Sequence, residues 1–174
     1  VRMFWLMGGI EMRFIQFIRT KTFAANAVIF FIFSVLISLM SGQMPESTYF
    51  YKRWLYKERE WEDGGKVYDR LFGVRKWKSR LPEMSDFVKF AFSKKHLKST
   101  DGDYLAQFVM ESCRSEWTHW VIICSSLLFL LWNEFIPAFK IILLATVLNM
   151  PYIIIQRYNR PRIVRLLEKR GYRE

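Results

Sequence analysis

The chain has 174 residues and a formal net charge of +11 at neutral pH, with 52% hydrophobic and 25% charged residues. This length suits one domain or one compact membrane unit. A basic chain is typical of nucleic-acid or membrane-surface binding. Because the basic residues flank long apolar runs and alternate with Trp and Tyr, we expect anionic lipid or an anionic cosubstrate as the partner, and no nucleic acid.

The first long apolar run, residues 23–40, contains no charged side chain. Eighteen such residues approach the length that crosses a bilayer core. A cleaved signal peptide is the alternative, since Arg13, Arg19 and Lys21 precede the run. The run is longer than the apolar part of most signal peptides, so we predict a membrane helix at 23–40.

The central segment, residues 48–113, is predicted to form short amphipathic helices that lie in the membrane surface. Gly64-Gly65 marks a break between them. Polar residues at 99–103 predict the start of a helix that continues past His119. The apolar positions expected to share a helical face are Val67, Leu71 and Val74 in one helix, and Met84, Phe87, Val88 and Ala91 in another.

Two further apolar runs, residues 117–136 and 138–155, are joined by Pro137 and predict a membrane hairpin. A basic tail, residues 156–174, follows. The expected fold class is therefore an all-α integral membrane domain with about three apolar helices, one of which is a candidate re-entrant segment. Lys and Arg concentrate in the central segment and the tail, which favours a multi-pass protein of the cell membrane with its site on the cytoplasmic face.

Glu116 and His119 form the first candidate for chemistry. A spacing of three places both side chains on one helical face. An imidazole supported by a carboxylate suits removal of a proton from a hydroxyl that attacks an acyl carbon. The alternative is that both groups are simply solvated at the membrane surface. We expect His119 to be the base and Glu116 to orient it or to hold a sugar.

His96 and Asp101 form an alternative catalytic pair. Their spacing resembles the His-x4-Asp dyad of glycerolipid acyltransferases. Asp101 is equally explained as a helix cap. Neither histidine of the chain belongs to a metal-ligand motif, so we expect no metal and no other cofactor.

Two basic segments are expected to bind the anionic part of a substrate or anionic lipid. Since proline disfavours a helix interior, Pro161 predicts that the second set diverges from a turn. Pro151 also interrupts the preceding apolar helix and suggests a cavity. The predicted cationic residues are Arg75, Lys76, Lys78, Arg157, Arg160 and Arg162, and the neutral hydrogen-bonding residues are Asn149, Gln156 and Asn159.

Four blocks of this chain resemble the glycosyl-4,4'-diaponeurosporenoate acyltransferases of staphyloxanthin-type carotenoid biosynthesis. They are residues 74–78, residues 96–97, residues 111–114 with 116–120, and residues 149–162. The last block is long enough to be specific.

The resemblance implies a membrane acyltransferase that esterifies a sugar hydroxyl of a glycolipid or glycosylated carotenoid. The acyl donor would be a thioester, either acyl-CoA or an acylated carrier protein, used as a cosubstrate. The rival interpretation is a non-catalytic membrane scaffold or accessory subunit whose basic faces bind anionic lipid. A scaffold needs the positive charge but has no need of the imidazole.

Overall fold

The computed structural model describes residues 23–82 and 99–171, and the regular secondary structure in those ranges is entirely helical. The predicted all-α class is confirmed. The α-helices are α1 (Phe23–Gln43), α2 (Lys66–Phe72), α3 (Val74–Trp77), α4 (Gly102–Ser125) and α5 (Phe135–Lys169). Short 3-10 helices occur at Glu46–Tyr49, Glu60–Gly65, Lys78–Arg80 and Ser126–Leu131.

The described residues divide into two compact units. The apolar unit comprises residues 23–39 and 121–149, and the basic unit comprises residues 40–82, 99–120 and 150–171. Helices α4 and α5 each contribute to both units. The predicted site residues lie in the basic unit, except for Asn149 in the apolar unit and His96 outside the described residues.

The apolar unit is built on a small core in which Phe30 of α1 clusters with Phe129, Ile141 and Ala145. Asn26 is fully buried in this unit, and its Nδ2 donates to Oδ1 of Asn133 at 2.9 Å. A buried amide among apolar side chains is stable only when it is hydrogen-bonded. The Asn26–Asn133 pair therefore fixes the start of α1 beside the loop that precedes α5.

Two described helices, α1 and α5, are long and apolar enough to cross a membrane. The predicted helix at 23–40 corresponds to α1. The predicted continuous helix at 117–136 is wrong, because α4 ends at Ser125 and a 3-10 helix follows. The Ser125 and Ser126 hydroxyls donate to carbonyls three residues back, a local bond that competes with regular helix. Pro137 lies inside the first turn of α5, where proline is tolerated.

The expectation that Pro161 ends the helix is also wrong, since α5 runs through both Pro151 and Pro161 to Lys169. Each proline removes one hydrogen bond of the helix. Packing on both sides offsets that loss at Pro161, which is itself buried. Beyond it, Ile163 and Leu167 are buried against α4.

The core of the basic unit joins α4 to the second half of α5. Leu105, Phe108 and Val109 of α4 pack with Ile163 and Leu167 of α5. Each buried side chain of this kind contributes roughly 1.5–3 kcal/mol. This contact fixes the separation of α4 and α5. It therefore also fixes the separation of the polar residues on the adjacent turns of the two helices.

The central segment is more broken than its pattern predicts. Gly73 adopts a left-handed conformation with φ 60°, so α2 ends at Phe72 and α3 starts at Val74. The predicted common face of Val67, Leu71 and Val74 is wrong, because Val74 is fully buried whereas Leu71 is 68% exposed. The second predicted face, at residues 84–91, lies outside the described residues.

Candidate functional site

Helices α4 and α5 run antiparallel through the basic unit, and their polar residues meet in successive turns. Gln156 Nε2 donates to Ser115 Oγ at 3.3 Å. One turn further along α4, the rings of His119 and Tyr152 stack with centroids 4.7 Å apart and an 11° interplanar angle. These contacts bring the turn of α4 that carries His119 against the turns of α5 that carry Tyr152 and Gln156.

Glu116 is the centre of the contact and is fully buried. Its Oε1 accepts from Arg157 Nε at 2.6 Å, and its Oε2 accepts from Arg160 Nη2 at 2.5 Å. Trp120 Nε1 lies 3.4 Å from Oε1 on the same helix. A buried carboxylate is stable when its oxygens are paired in this way. The two arginines therefore tie α5 to α4 through one side chain.

Arg160 is 3% exposed and its other donors also stay inside the protein. Nε donates to Ser112 Oγ and Nη2 to the Ser112 carbonyl, both at 3.1 Å. Nη1 donates to the Tyr56 carbonyl at 3.1 Å, and the guanidinium lies over the Tyr56 ring. Arg160 thus joins α4, α5 and the central segment.

Arg157 extends the same network into the central segment. Its Nη1 lies 3.4 Å from Oε1 of Glu62 and donates to the Lys57 carbonyl at 3.1 Å, and its Nη2 donates to the Leu55 carbonyl. Glu62 is 1% exposed and accepts from the Tyr68 hydroxyl at 2.5 Å. Burial and this carboxylate raise the pKa of Tyr68. Two acids and two arginines therefore form a buried, charge-balanced network.

Glu62 reaches this network because the chain turns tightly just after it. Asp63, Gly64 and Gly65 all have positive φ angles. A Cβ at Gly65 would lie 2.6 Å from the Tyr158 carbonyl oxygen, so only glycine allows this close approach to α5. The predicted break at Gly64-Gly65 is confirmed, and it sets the position of Glu62.

Gln156 is the second unusual buried group. Its side chain is 2% exposed, and its Oε1 has no hydrogen-bond partner among the described residues. Its Nε2 bonds to Ser115, which lies one helical turn before His119 on α4. Leaving a buried acceptor unpaired costs about 1–3 kcal/mol, so this oxygen requires a specific explanation.

A cavity of about 400 Å³ opens beside the buried network. Its size lies within the range of small-molecule sites. Glu62, Arg157 and Arg160 border it, so the network is reachable from one side. Its wall also carries tyrosines and further charged groups, including Tyr51, Tyr56, Lys52, Lys57, Glu58, Arg165 and Glu168.

The basic segment after α2 meets α5 at a second place. Lys78 Nζ donates to Asn159 Oδ1 at 3.1 Å and lies 5.0 Å from the centre of the Tyr158 ring. Arg162 stacks on the same ring at 4.1 Å and donates to the Tyr158 hydroxyl at 2.7 Å. We call Lys78, Asn159 and Arg162 with this ring the Tyr158 cluster.

Arg75 and Lys76 lie outside the Tyr158 cluster. Arg75 Nε donates to Asp69 Oδ2 at 2.5 Å, and the Arg75 backbone N–H donates to Oδ1 at 3.0 Å. These contacts, led by the backbone hydrogen bond, lower the pKa of Asp69. Lys76 is exposed.

The remaining predicted residues are placed elsewhere. Asn149 is buried in the apolar unit, where Nδ2 donates to the Ala145 carbonyl at 2.7 Å. Asp101 is exposed, and its carbonyl accepts from the Leu105 N–H at 3.0 Å, as expected for the residue that precedes α4. His96, its predicted catalytic partner, lies outside the described residues.

Sequence reasoning missed Glu62, Tyr56 and Tyr152, as well as Ser112 and Ser115 of α4. The serines carry a visible signal, since Ser112, Ser115, Glu116 and His119 recur at helical spacing. Glu62 carries no such spacing signal, because it is distant from Arg157 in the sequence and only the folded chain brings the two side chains together.

Most of the basic unit lies in a range that matches a known protein family. Residues 52–169 match the family model described as glycosyl-4,4'-diaponeurosporenoate acyltransferase, a range that includes the network and the Tyr158 cluster. Proteins of that name from Staphylococcus aureus strains bovine RF122 / ET3-1, N315 and USA300 are each 28% identical over 161 residues. Each alignment covers 91% of this chain and 96% of the relative. No solved structure matches the chain. The chain belongs to the glycosyl-4,4'-diaponeurosporenoate acyltransferase family.

Proposed function

We propose that this chain transfers a fatty acyl group from a thioester donor to a sugar hydroxyl of a glycosylated lipid or carotenoid. The family supports acyl transfer and a glycosylated carotenoid acceptor. The observation that carries the proposal for the site is the stack of His119 on Tyr152, one turn of α5 before the buried Gln156, whose Oε1 has no hydrogen-bond partner among the described residues. An imidazole oriented by stacking, with a buried acceptor one helical turn away, suits the binding of a hydroxyl that is to lose its proton.

In the proposed reaction, the sugar hydroxyl oxygen attacks the thioester carbonyl carbon while His119 accepts the hydroxyl proton. The tetrahedral intermediate collapses, the carbon–sulfur bond breaks, and the ester remains on the sugar. The thiolate leaves with the proton that His119 returns. Gln156 Oε1 accepts a hydrogen bond from a second hydroxyl of the acceptor and so orients the sugar.

Glu116 acts as a positioning residue in this proposal. Both of its oxygens accept from arginines, so the carboxylate holds α4 and α5 together. It thereby fixes the turn of α4 that carries His119. The prediction that Glu116 orients the imidazole thus becomes a proposal that it does so through the helix.

The predicted substrate-binding residues divide into two groups. Arg157 and Arg160 border the 400 Å³ cavity and are proposed to meet the polar head of a substrate there. Arg75, Lys76, Lys78 and Arg162 are proposed for the anionic part of the donor, acyl-CoA or an acylated carrier protein. Asn159 and Asn149 are proposed to supply neutral hydrogen bonds.

Membrane association supports such a reaction, because the acyl chain and a carotenoid both partition into lipid. Helices α1 and α5 are long and apolar enough to cross a bilayer. We propose a multi-pass protein of the cell membrane with the reaction on its cytoplasmic face, where both thioester donors occur.

The proposal is tested by an acyl-transfer assay in membranes that contain the chain. Glycosylated diaponeurosporenoate is supplied with isotope-labelled acyl-CoA or labelled acyl carrier protein, and the product is identified by mass spectrometry. We expect a labelled ester on the sugar, absent from membranes without the chain. Failure with both donors, in membranes where a Staphylococcus aureus relative makes the ester, would contradict the proposal.

A further inference from the structure

The Tyr158 cluster brings two cations onto a single aromatic ring. The Tyr158 side chain is fully buried and forms a fixed base. Lys78 is half-buried above it, and Arg162 is exposed. Asn159 accepts one hydrogen bond from Lys78, and among the described residues the amide Nδ2 of Asn159 and most N–H groups of both cations remain for another acceptor.

Within the described residues, the cations of this cluster form no ion pair, unlike several other cations of the basic unit. Arg157 and Arg160 share Glu116, and Arg75 pairs with Asp69. In residues 23–82 and 99–171, neither Lys78 nor Arg162 has a carboxylate within ion-pair distance. Burial, and secondly the charge of Arg162, lower the pKa of Lys78. A bound anion would offset both the burial of the Lys78 ammonium and its repulsion by Arg162.

The chemistry of the donors indicates which anion fits. A guanidinium offers a planar fork, an ammonium offers a point charge, and an amide adds a neutral donor. Together they suit a tetrahedral oxyanion that accepts several hydrogen bonds in different directions. A phosphate group meets this description better than a carboxylate, whose two oxygens lie in one plane.

We propose that Lys78, Asn159 and Arg162 of the Tyr158 cluster bind a phosphate group. This group belongs either to the phosphopantetheine arm of a thioester donor or to a phospholipid head group. The inference rests on the proposed function only for the first of these sources.

Along α5, Asn159 and Arg162 lie seven and ten residues beyond Tyr152, which corresponds to about 10–15 Å of helix. A phosphate bound there is therefore near His119 without touching it.

Isothermal titration of the purified chain in a phosphate-free, uncharged detergent tests the proposal. The probes are 4'-phosphopantetheine for the donor and dioctanoylphosphatidylglycerol for the lipid. We expect saturable binding of at least one probe, weakened about tenfold or more by Lys78→Gln and by Arg162→Gln. Lys78→Arg should retain binding, since it keeps the charge.

Arg70→Gln is the matched control, because it also removes one positive charge near this segment while Arg70 is 71% exposed and pairs with Asp63. It should leave the affinity unchanged. Binding should persist in His119→Ala, so loss of catalysis is distinguishable from loss of the phosphate site. The probe that binds identifies the source. Absence of binding by both probes, or equal affinity in the parent and both glutamine variants, would overturn the proposal.

Discussion

Glu116 and its two arginines explain how an ionic group is accommodated in the interior of the basic unit. Removing one partner from a buried ion pair typically costs about 3–5 kcal/mol, because the other charge is then left without compensation. Glu116 has two such partners, and Arg160 also bonds to Ser112 and Tyr56. Much of the basic character that the sequence offers for substrate binding is thus used to hold the fold together.

Arg160→Lys should therefore destabilise the protein although it keeps the charge. A lysine ammonium has three donors and cannot reproduce the fork that reaches Ser112, Tyr56 and Glu116 together. Losing one or two buried hydrogen bonds would lower the free energy of unfolding by about 1–3 kcal/mol. Thermal unfolding should show this as a fall of roughly 2–4 °C per kcal/mol in the apparent midpoint.

The control for this change is Arg170→Lys. Arg170 is exposed and donates to Thr100 Oγ1 at 2.9 Å, so its replacement should leave the midpoint almost unchanged. Equal midpoints for the parent and Arg160→Lys would mean that the guanidinium fork is not a structural requirement.

At this scale, local spacing in the sequence identifies only part of the site. Glu116 and His119 are three residues apart on α4, and the helix period alone pairs them. Glu62 and Arg157 are brought together by the fold from distant parts of the chain. The unpaired oxygen of Gln156 is likewise a property of its packed surroundings, which no spacing rule describes.

At the scale of elements, α5 differs most from its sequence pattern. Pro151 and Pro161 predict interruptions, yet the helix continues because residues on both sides are buried. Local propensity is a weak guide where tertiary contacts offset its cost. By contrast, the break at Gly64-Gly65 is predictable, because left-handed backbone favours glycine wherever it occurs.

Gly65→Ala tests the close contact between this turn and α5. Gly65 and Gly171 both have positive φ, of 82° and 73°, so alanine at either position carries a left-handed strain of roughly 1–2 kcal/mol. Only at Gly65 would the new Cβ meet backbone, at 2.6 Å from the Tyr158 oxygen, whereas nothing lies within 4 Å at Gly171.

We therefore expect Gly65→Ala to lower the apparent unfolding midpoint clearly more than Gly171→Ala does. The comparison uses purified protein in the same detergent. Equal falls in the unfolding midpoint of the two variants would show that the turn at Gly65 is not in close contact with α5.

For the whole molecule, composition is enough to predict the all-α class and the apolar helix α1. Eight large apolar side chains of α1 remain exposed, a pattern that suits contact with lipid: Phe23, Val28, Phe31, Ile32, Val35, Leu36, Leu39 and Met40. The division into two units is not visible in the sequence, because α4 and α5 pass through both units without a change in secondary structure at 120 or 150.

The buried Asn26–Asn133 pair makes a prediction about membrane topology. Phe23 lies one turn before Asn26, and Glu134 directly follows Asn133, so both should lie on the same side of the membrane. Phe23→Cys and Glu134→Cys, each made in a background without Cys113 and Cys124, should react alike with an impermeant maleimide on intact cells. If one of these two cysteines were labelled on intact cells and the other only after lysis, the packing of the apolar unit would be contradicted.

The role of His119 is the central claim, and acyl transfer by His119→Ala in membranes measures it most directly. Loss of a positioned general base typically lowers the rate by about 10²–10⁴-fold. We expect that loss in His119→Ala with a normal amount of inserted protein, whereas Asp101→Asn stays close to the parent. Parental activity in His119→Ala together with loss of activity in Asp101→Asn would contradict the account and move the chemistry to the His96–Asp101 pair.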